Sequence, residues 1–416
     1  MNPFNKILLK FAGAQGVSNI LRIIAGFLVV KLIAPEVYGE FTGPGIYLTY
    51  FMLLHLGINN GLSRELPFEL GSGNKERVDQ YASVGLFVNT IISAFTFFVF
   101  MVVSIQLFTS GNNTGGIIYG TYSIVSIFNL MNKAYLPVLF RTNADFDKLA
   151  KIQFILGFVN ILSVIFVFFF GLIGLCIRMV LLFLIEFALL FFQRPIRVLP
   201  KFSWSHNKTL LKVGIPIYLV GHVNILWSNI LNNIILVKGG AIFLGYYALS
   251  NIISSALGVI PNSFGQIIYP KMSIMFGEGK PLKEILKIVW TPMKMQFFML
   301  LGIAIICSII LPLAVGILLP KYEPGVVAAQ WMLFLPVVSS FNLFCNLFNV
   351  VKKQFWYFVS LVSGAMIGVI YIVIMYSMVD FKLEHFPQGL IVGTVFQILF
   401  SYYFLNRKIL LVKQSA

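Results

Sequence analysis

About a dozen stretches of roughly twenty apolar residues follow one another along this chain, separated by short polar connectors, and that repetition leaves few folds open. Runs such as Ile91 to Ile105, Ile161 to Gly171 and Met299 to Leu319 are too apolar and too closely repeated to be core helices of one soluble domain. In hydrocarbon every backbone N–H and C=O needs an internal partner. These segments are too long and too evenly apolar for the alternating strands of a barrel, so helices are the remaining option. With 59% hydrophobic and only 11% charged residues, and 42 Phe among them, lipid must be the solvent. The expected fold class is an all-α integral membrane protein with about 12 transmembrane helices.

The spans are expected near 8–33, 41–66, 82–108, 116–140, 150–171, 174–193, 210–236, 242–268, 286–318, 325–350, 354–378 and 387–406. Most of the 30 Lys and Arg residues then fall on one set of alternate connectors and tails. Only Lys31, Lys238, Lys321 and Lys382 fall on the opposite set, while Arg22, Arg64, Lys133, Arg178 and Lys294 lie further inside spans. A Lys and Arg bias of this size orients a membrane protein, so both termini are expected to face the cytoplasm. The net charge of +16 is mostly this topology signal, with attraction to anionic membrane lipids of the inner leaflet second. No basic stretch is long enough to track a nucleic-acid backbone, so no nucleic acid is expected as partner. Cys176, Cys307 and Cys345 sit singly in apolar spans with no metal-ligand spacing. The first span lacks a small-residue cleavage pattern and is expected to stay in the membrane.

The connector from Gln193 to about Leu210 is the longest and carries Arg194, Arg197, Lys201, Trp204 and Lys208 with two prolines. It divides the chain into an N-terminal lobe (1–196), a cytoplasmic linker (197–209) and a C-terminal lobe (210–416). The halves open alike. Leu8-Leu9-Lys10 starts a span that ends at Lys31, and Leu210-Leu211-Lys212 starts one that ends at Lys238. An even number of crossings per half gives a parallel repeat, which predicts two bundles around a central cavity. No connector is long enough for a soluble domain. With no Walker sequence, HExxH or paired carboxylates, an enzyme is disfavoured and no cofactor is implied.

Charged and polar residues recur inside the spans at helical spacing. The first carries Gln15, Ser18, Asn19 and Arg22, the second His55, Asn59, Asn60 and Arg64, and the fourth Tyr122, Ser126, Asn129 and Lys133. The seventh carries Tyr218, His222, Asn229 and Asn232, the eighth Tyr247, Asn251, Ser254 and Asn262, and the tenth Asn342, Asn346 and Asn349. Each Asn or Ser has an ordinary reading as an interhelical hydrogen bond, worth about 0.6 to 2 kcal/mol. Arg22 is harder to explain that way. It lies several turns from either end of its span, where a guanidinium costs at least ~2.5 kcal/mol unless water or an anion meets it. Arg22, Arg64 and Lys133 are therefore expected to bind an anionic group, with Gln15, Asn19, Asn59, Asn129, His222 and Asn251 contacting the rest of the passenger. Glu186 is either a partner for a cation or a proton-binding group, and with Glu40 and His55 it is a candidate for ion coupling.

Twelve spans in two halves, the Ala34-Pro35-Glu36-Val37-Tyr38-Gly39-Glu40-Phe41 turn and the Tyr269-Pro270-Lys271-Met272-Ser273 exit resemble the polysaccharide biosynthesis flippases. The resemblance is to the Wzx-type O-antigen repeat-unit transporters of the multidrug/oligosaccharidyl-lipid/polysaccharide (MOP) superfamily. It implies a V-shaped fold like that of the multidrug and toxin extrusion (MATE) transporters. It also implies a bacterial inner-membrane location and a substrate of undecaprenyl-pyrophosphate-linked glycan. That substrate would move from the cytoplasmic to the periplasmic leaflet, with a polysaccharide polymerase and chain-length regulator as partners; the lack of a nucleotide-site motif adds coupling to an ion gradient as an expectation. Cations suit the pyrophosphate, and amides and hydroxyls suit the sugars. The alternative is a multidrug and toxin extrusion exporter, for which an acid would be expected in the first, seventh, eighth or tenth span. A membrane-embedded polymerase or ligase is disfavoured by the missing outer loop, and a scaffolding protein by the intramembrane charges.

Overall fold

The computed structural model describes residues 3–143, 145–277, 280–351 and 353–407. Side chains are described from residue 16 onward, except at 224, 263, 266, 267, 270, 271, 273, 274 and 277. Fifteen helices account for nearly all of it, and no strand occurs among the described residues. They are α1 (Pro3–Leu32), α2 (Pro35–Met52), α3 (Ile58–Gly71), α4 (Lys75–Thr109), α5 (Asn113–Leu130), α6 (Leu136–Thr142), α7 (Phe146–Leu162) and α8 (Val164–Phe192). After the linker come α9 (Trp204–Tyr246), α10 (Ala248–Gly277), α11 (Leu282–Leu318), α12 (Val326–Ser339), α13 (Asn346–Val350), α14 (Gln354–Met378) and α15 (His385–Leu405).

Among the described residues eight helical runs are long and apolar enough to cross a membrane, and the bent pair α2 and α3 makes a ninth. The helical runs of the chain follow all twelve expected spans. The fifth and sixth spans share α8, which is broken at Gly171 (φ 54°, ψ −122°). There the chain folds back, so that Gly174 lies against the backbone of Phe166 and Val167. A straight helix would separate such residues by about 12 Å. A second non-helical residue, Gly240, separates the seventh and eighth spans within and after α9. Outward faces carry Phe168, Phe169, Ile306, Ile309 and Leu313, all exposed, as lipid contact requires.

By its contacts the chain separates into two compact units, Met1–Gly221 and His222–Ala416. The division falls inside α9 rather than in the 197–209 linker, for a local reason. The first half of α9 packs against α3 with almost no space between backbones: a Cβ at Gly57 would lie 2.7 Å from the Gly214 carbonyl carbon. Tyr218 also donates from its hydroxyl to the Leu53 carbonyl at 2.9 Å. Unit 1 is filled by two clusters, one around Leu62, Leu66, Leu139, Phe140 and Ile152, the other around Val29, Phe100, Val125 and Val167. Unit 2 has a cluster around Met272, Ile285, Leu347 and Phe348. In unit 2, α14 and α15 meet through glycines spaced by four. Gly364 and Gly368 face Gly393 and Gly389, which lets the backbones approach until carbonyl oxygens sit where side chains would otherwise be.

Candidate functional site

Unit 1 holds guanidinium groups inside its spans and satisfies them with amides. On α1, Ser18 is buried, Asn19 half-buried and Arg22 half-buried; the side chain of Gln15 lies outside the described residues. The face carrying Ser18 and Arg22 packs on α7, where Gly157 leaves room for the close approach to Ser18. Arg22 donates from Nη2 to Gln153 Oε1 at 2.9 Å, while its buried Nε has no hydrogen-bond partner among the described residues. Two turns further along the same face of α7, Asn160 Oδ1 accepts from Arg178 Nη2 of α8 at 2.6 Å. Arg178 therefore does not snorkel freely. Neither arginine has a carboxylate within ion-pair distance among the described residues.

Lys133 is treated differently. Its Nζ lies 2.7 Å from Glu186 Oε2 of α8, and Glu186 is the buried partner, its side chain 10% exposed against 42% for Lys133. Lys133 sits in a widened π-type turn, Met131–Tyr135, between α5 and α6. Pro137 explains the turn: lacking an N–H, it cannot bond the carbonyl of Lys133 four residues back, and the ladder shifts register. In the same turn Asn132 donates from Nδ2 to the Phe183 carbonyl at 2.8 Å, tying α8 to it. Glu186 is thus paired with a cation. The rest of the fourth-span stripe, Tyr122, Ser126 and Asn129, is buried inside unit 1.

The second span is broken where the sequence reading drew a continuous helix. After the tight turn Leu53–His55 the chain passes through Leu56 and Gly57, both at positive φ, and α3 leaves at 49° to α2. Only glycine takes φ 93° at Gly57 without strain. His55 is buried at this break. Its Nδ1 accepts from the Gly57 N–H at 3.0 Å, and its ring meets that of Tyr218 edge-on at 5.2 Å. One turn later Asn59 and Asn89 exchange two hydrogen bonds of 2.9 Å, and Asn89 also donates to the Gly85 carbonyl at 2.7 Å. That clasp joins α3 to α4 and uses both ends of the Asn59 amide, which leaves it little to offer a passenger. Arg64 is exposed on α3, and Glu40 is exposed near the start of α2.

In unit 2, His222 is half-buried on α9 and Asn251 is exposed on α10. The eighth- and tenth-span residues Ser254, Asn262, Asn342 and Asn346 line one cavity of about 630 Å³. Of the twelve candidates named from sequence, Lys133 and Glu186 are joined to each other. The residues that hold the cations, Gln153 and Asn160, were missed, as was Asn89. Gln153 and Asn160 are seven residues apart in an otherwise apolar span, so the same periodicity that marked Arg22 marks them. Asn89 stands alone in its run and carries no such signal.

The architecture is a multi-pass, all-helical fold shared with transporters of the MOP superfamily. An inward-facing multidrug resistance MATE transporter of the MOP superfamily superposes with a TM-score of 0.80, covering 96% of each chain at 14% identity. An outward-facing MATE transporter of that superfamily gives 0.66 at 15% identity, covering 98% of this chain and 96% of the other. A MOP superfamily transporter from Pyrococcus furiosus, whose binding pocket is described as having reverse polarity, gives 0.67 at 15% identity with the same coverage. Residues 29–321 match the family described as polysaccharide biosynthesis protein, and the chain belongs to that family. No curated protein sequence matches it.

Proposed function

We propose that this protein is a flippase for a lipid-linked oligosaccharide, moving an undecaprenyl-pyrophosphate-linked repeat unit from the cytoplasmic to the periplasmic leaflet by alternating access. The observation that carries the reading is the state of Arg22. A guanidinium well inside a span is met by one neutral amide at 2.9 Å and keeps an unpartnered buried Nε. A hydrogen bond to a charged group contributes about 1.5 to 3 kcal/mol, comparable to the lower figures for placing Arg at the bilayer centre, and it leaves the charge itself uncancelled. An anionic passenger supplies what is missing, and pyrophosphate matches the planar fork of a guanidinium. Arg64, exposed in the same unit, adds a second positive group. Lys133 contributes less, because Glu186 already matches its charge.

Membership in a polysaccharide biosynthesis family agrees with this passenger. The reverse polarity of the Pyrococcus furiosus transporter's binding pocket is described as suggesting a different function, so the fold alone does not favour the exporter. The multidrug-exporter alternative shares the fold, but the first, seventh, eighth and tenth spans carry no acid, and the candidate acids Glu40 and Glu186 are exposed and paired with a cation respectively. The basic bias of alternate connectors supports an inner-membrane orientation with both termini cytoplasmic. A polymerase and a chain-length regulator would act on the product in the outer leaflet. Deleting the gene tests the reading. Accumulation of lipid-linked repeat units facing the cytoplasm supports it, and undisturbed glycan with new drug sensitivity supports the exporter instead.

A further inference from the structure

The cavity in unit 2 has a chemistry of its own. Its volume, about 630 Å³, falls in the range of small-molecule sites, about 300–1,000 Å³. Its walls come from α10, α11, α12, α14 and the turn and short helix around Asn342 and Asn346, all within one unit. Among the described residues no charged side chain lines it. The described walls offer a phosphate no counter-charge and a cationic drug no carboxylate. What the walls offer is hydrogen bonding in both directions. Asn342 Oδ1 already accepts from Gln397 Nε2 at 3.0 Å, so its amide N–H groups remain as donors. Asn346 Nδ2 donates to the Leu343 carbonyl at 3.0 Å, so its carbonyl oxygen remains as an acceptor.

Gln296 gives the independent sign that something is meant to bind. Its side chain is 1% exposed, yet its Oε1 has no partner among the described residues. Buried polar atoms are nearly always satisfied, and one that is not calls for a reason. The α10 wall gives a second sign. Ser254, Gly258, Pro261, Asn262, Gly265 and Tyr269 form one face at helical spacing. A Cβ at Gly258 would meet nothing within 4 Å, and one at Gly265 only Asn346 Nδ2 at 4.0 Å. Glycine inside a helix is less stable than alanine, and here neither packing nor backbone angle demands it. The two glycines keep space open on the cavity side.

The geometry points to this cavity as a binding site for a neutral polyhydroxylated ligand, the glycan part of the passenger. The site rests on the flippase reading and deepens it. Adjacent sugar hydroxyls both donate and accept, which fits Asn342, Asn346 and the Gln296 Oε1. The ring of Tyr357, which lines the cavity and stacks on Phe348 at 5.8 Å, presents an aromatic surface of the kind that takes the apolar face of a sugar ring.

The test uses the full-length protein in phosphatidylethanolamine/phosphatidylglycerol nanodiscs. Saturation-transfer NMR reads binding from a panel of neutral methyl hexosides and disaccharides, and phosphorus NMR line broadening reads inorganic pyrophosphate. Saccharide signals are expected from the wild type. They should fall at least tenfold in Gly258→Leu, which fills the cavity, and in Gln296→Leu, which removes the acceptor. Gly302→Leu, which adds the same side chain on α11 outside the cavity where a Cβ meets nothing within 4 Å, serves as the folding control and should keep the signal within about twofold. Pyrophosphate broadening should be unchanged in all three variants and lost in Arg22→Ala. Pyrophosphate binding without saccharide signals, or saccharide signals that survive Gly258→Leu, overturn the site but leave the flippase reading standing. If neither probe binds the wild type, both fail.

Discussion

The Lys133–Glu186 pair inside the membrane has either a structural or an ion-coupling role, and the structure gives an asymmetry by which to measure it. At 2.7 Å the Coulomb energy is about 6 kcal/mol for an effective dielectric near 20 and about 1.5 kcal/mol in bulk water. Lys133, 42% exposed, places the pair between these limits. The cost of desolvating the carboxylate, 10% exposed, lowers the net further. A coupling of about 3 kcal/mol is expected in a double-mutant cycle, because breaking the pair strands a buried charge. Glu186→Gln leaves a lysine that reaches solvent or head groups and should cost about 1 kcal/mol. Lys133→Met leaves a buried, unmatched carboxylate and should cost about 3 kcal/mol or more. Removing both charges with Lys133→Met and Glu186→Leu should return most of the loss. Thermal unfolding of the purified protein reads these differences as a double-mutant cycle. Equal costs for the two single variants would refute the argument from burial. A double variant that regains stability but loses the gradient dependence of transport in vesicles would show that Glu186 couples ions and is not only a counter-charge.

The other variants separate passenger contacts from scaffold. Arg22→Ala should abolish translocation in vesicles, while Arg22→Lys retains part of it; wild-type transport by Arg22→Ala at normal protein levels would count against the anion path. Gln153→Leu leaves the same guanidinium without its amide and should destabilise the protein by about 1.5 to 3 kcal/mol in thermal unfolding. Asn59→Ala should cost about 1 to 2 kcal/mol by breaking the clasp with Asn89, whereas Asn59→Leu with Asn89→Leu together should recover stability and keep transport. Transport lost in a well-folded double variant would make Asn59 a passenger contact after all. Gly57→Ala should destabilise by several kcal/mol, because φ 93° and the Gly214 backbone both exclude a Cβ, while Gly258→Ala should stabilise by about 0.5 to 1 kcal/mol.

Lipid made the fold legible. Apolar length and the bias of lysine and arginine are properties of single segments, so the helical runs and their ends near Gly171 and Gly240 follow from local sequence. Partners are not local. That Arg22 meets Gln153, or Lys133 meets Glu186, depends on which helices touch, and residues 131 and 53 positions apart give no sign of it. The broken second span was missed for another reason. Gly43-Pro44-Gly45 is the stronger breaker motif of that span, yet Pro44 is accommodated inside α2 and the chain breaks at Leu56 and Gly57, where α9 presses against it. The Gly364, Gly368, Gly389 and Gly393 contact could have been read directly, since glycines four apart on two neighbouring spans are a packing signal in membranes.

Unit 1 answers the same problem in two ways, and the difference carries functional meaning. Lys133 receives a carboxylate at 2.7 Å and Arg22 an amide at 2.9 Å. For stability alone the carboxylate is the fuller answer, because it cancels the charge as well as satisfying a donor. An amide satisfies one donor and leaves the field of the guanidinium intact. Arg178 and Asn160 repeat the amide arrangement on the same face of α7. A chain that places acid beside one intramembrane cation and withholds it from two others keeps positive potential inside the span at a cost in stability. Placing a carboxylate beside Arg22 is therefore the informative inversion. Gln153→Glu should raise thermal stability while suppressing pyrophosphate binding and transport at least tenfold, and a variant that gains stability with no loss of either would show that the uncancelled charge has no passenger.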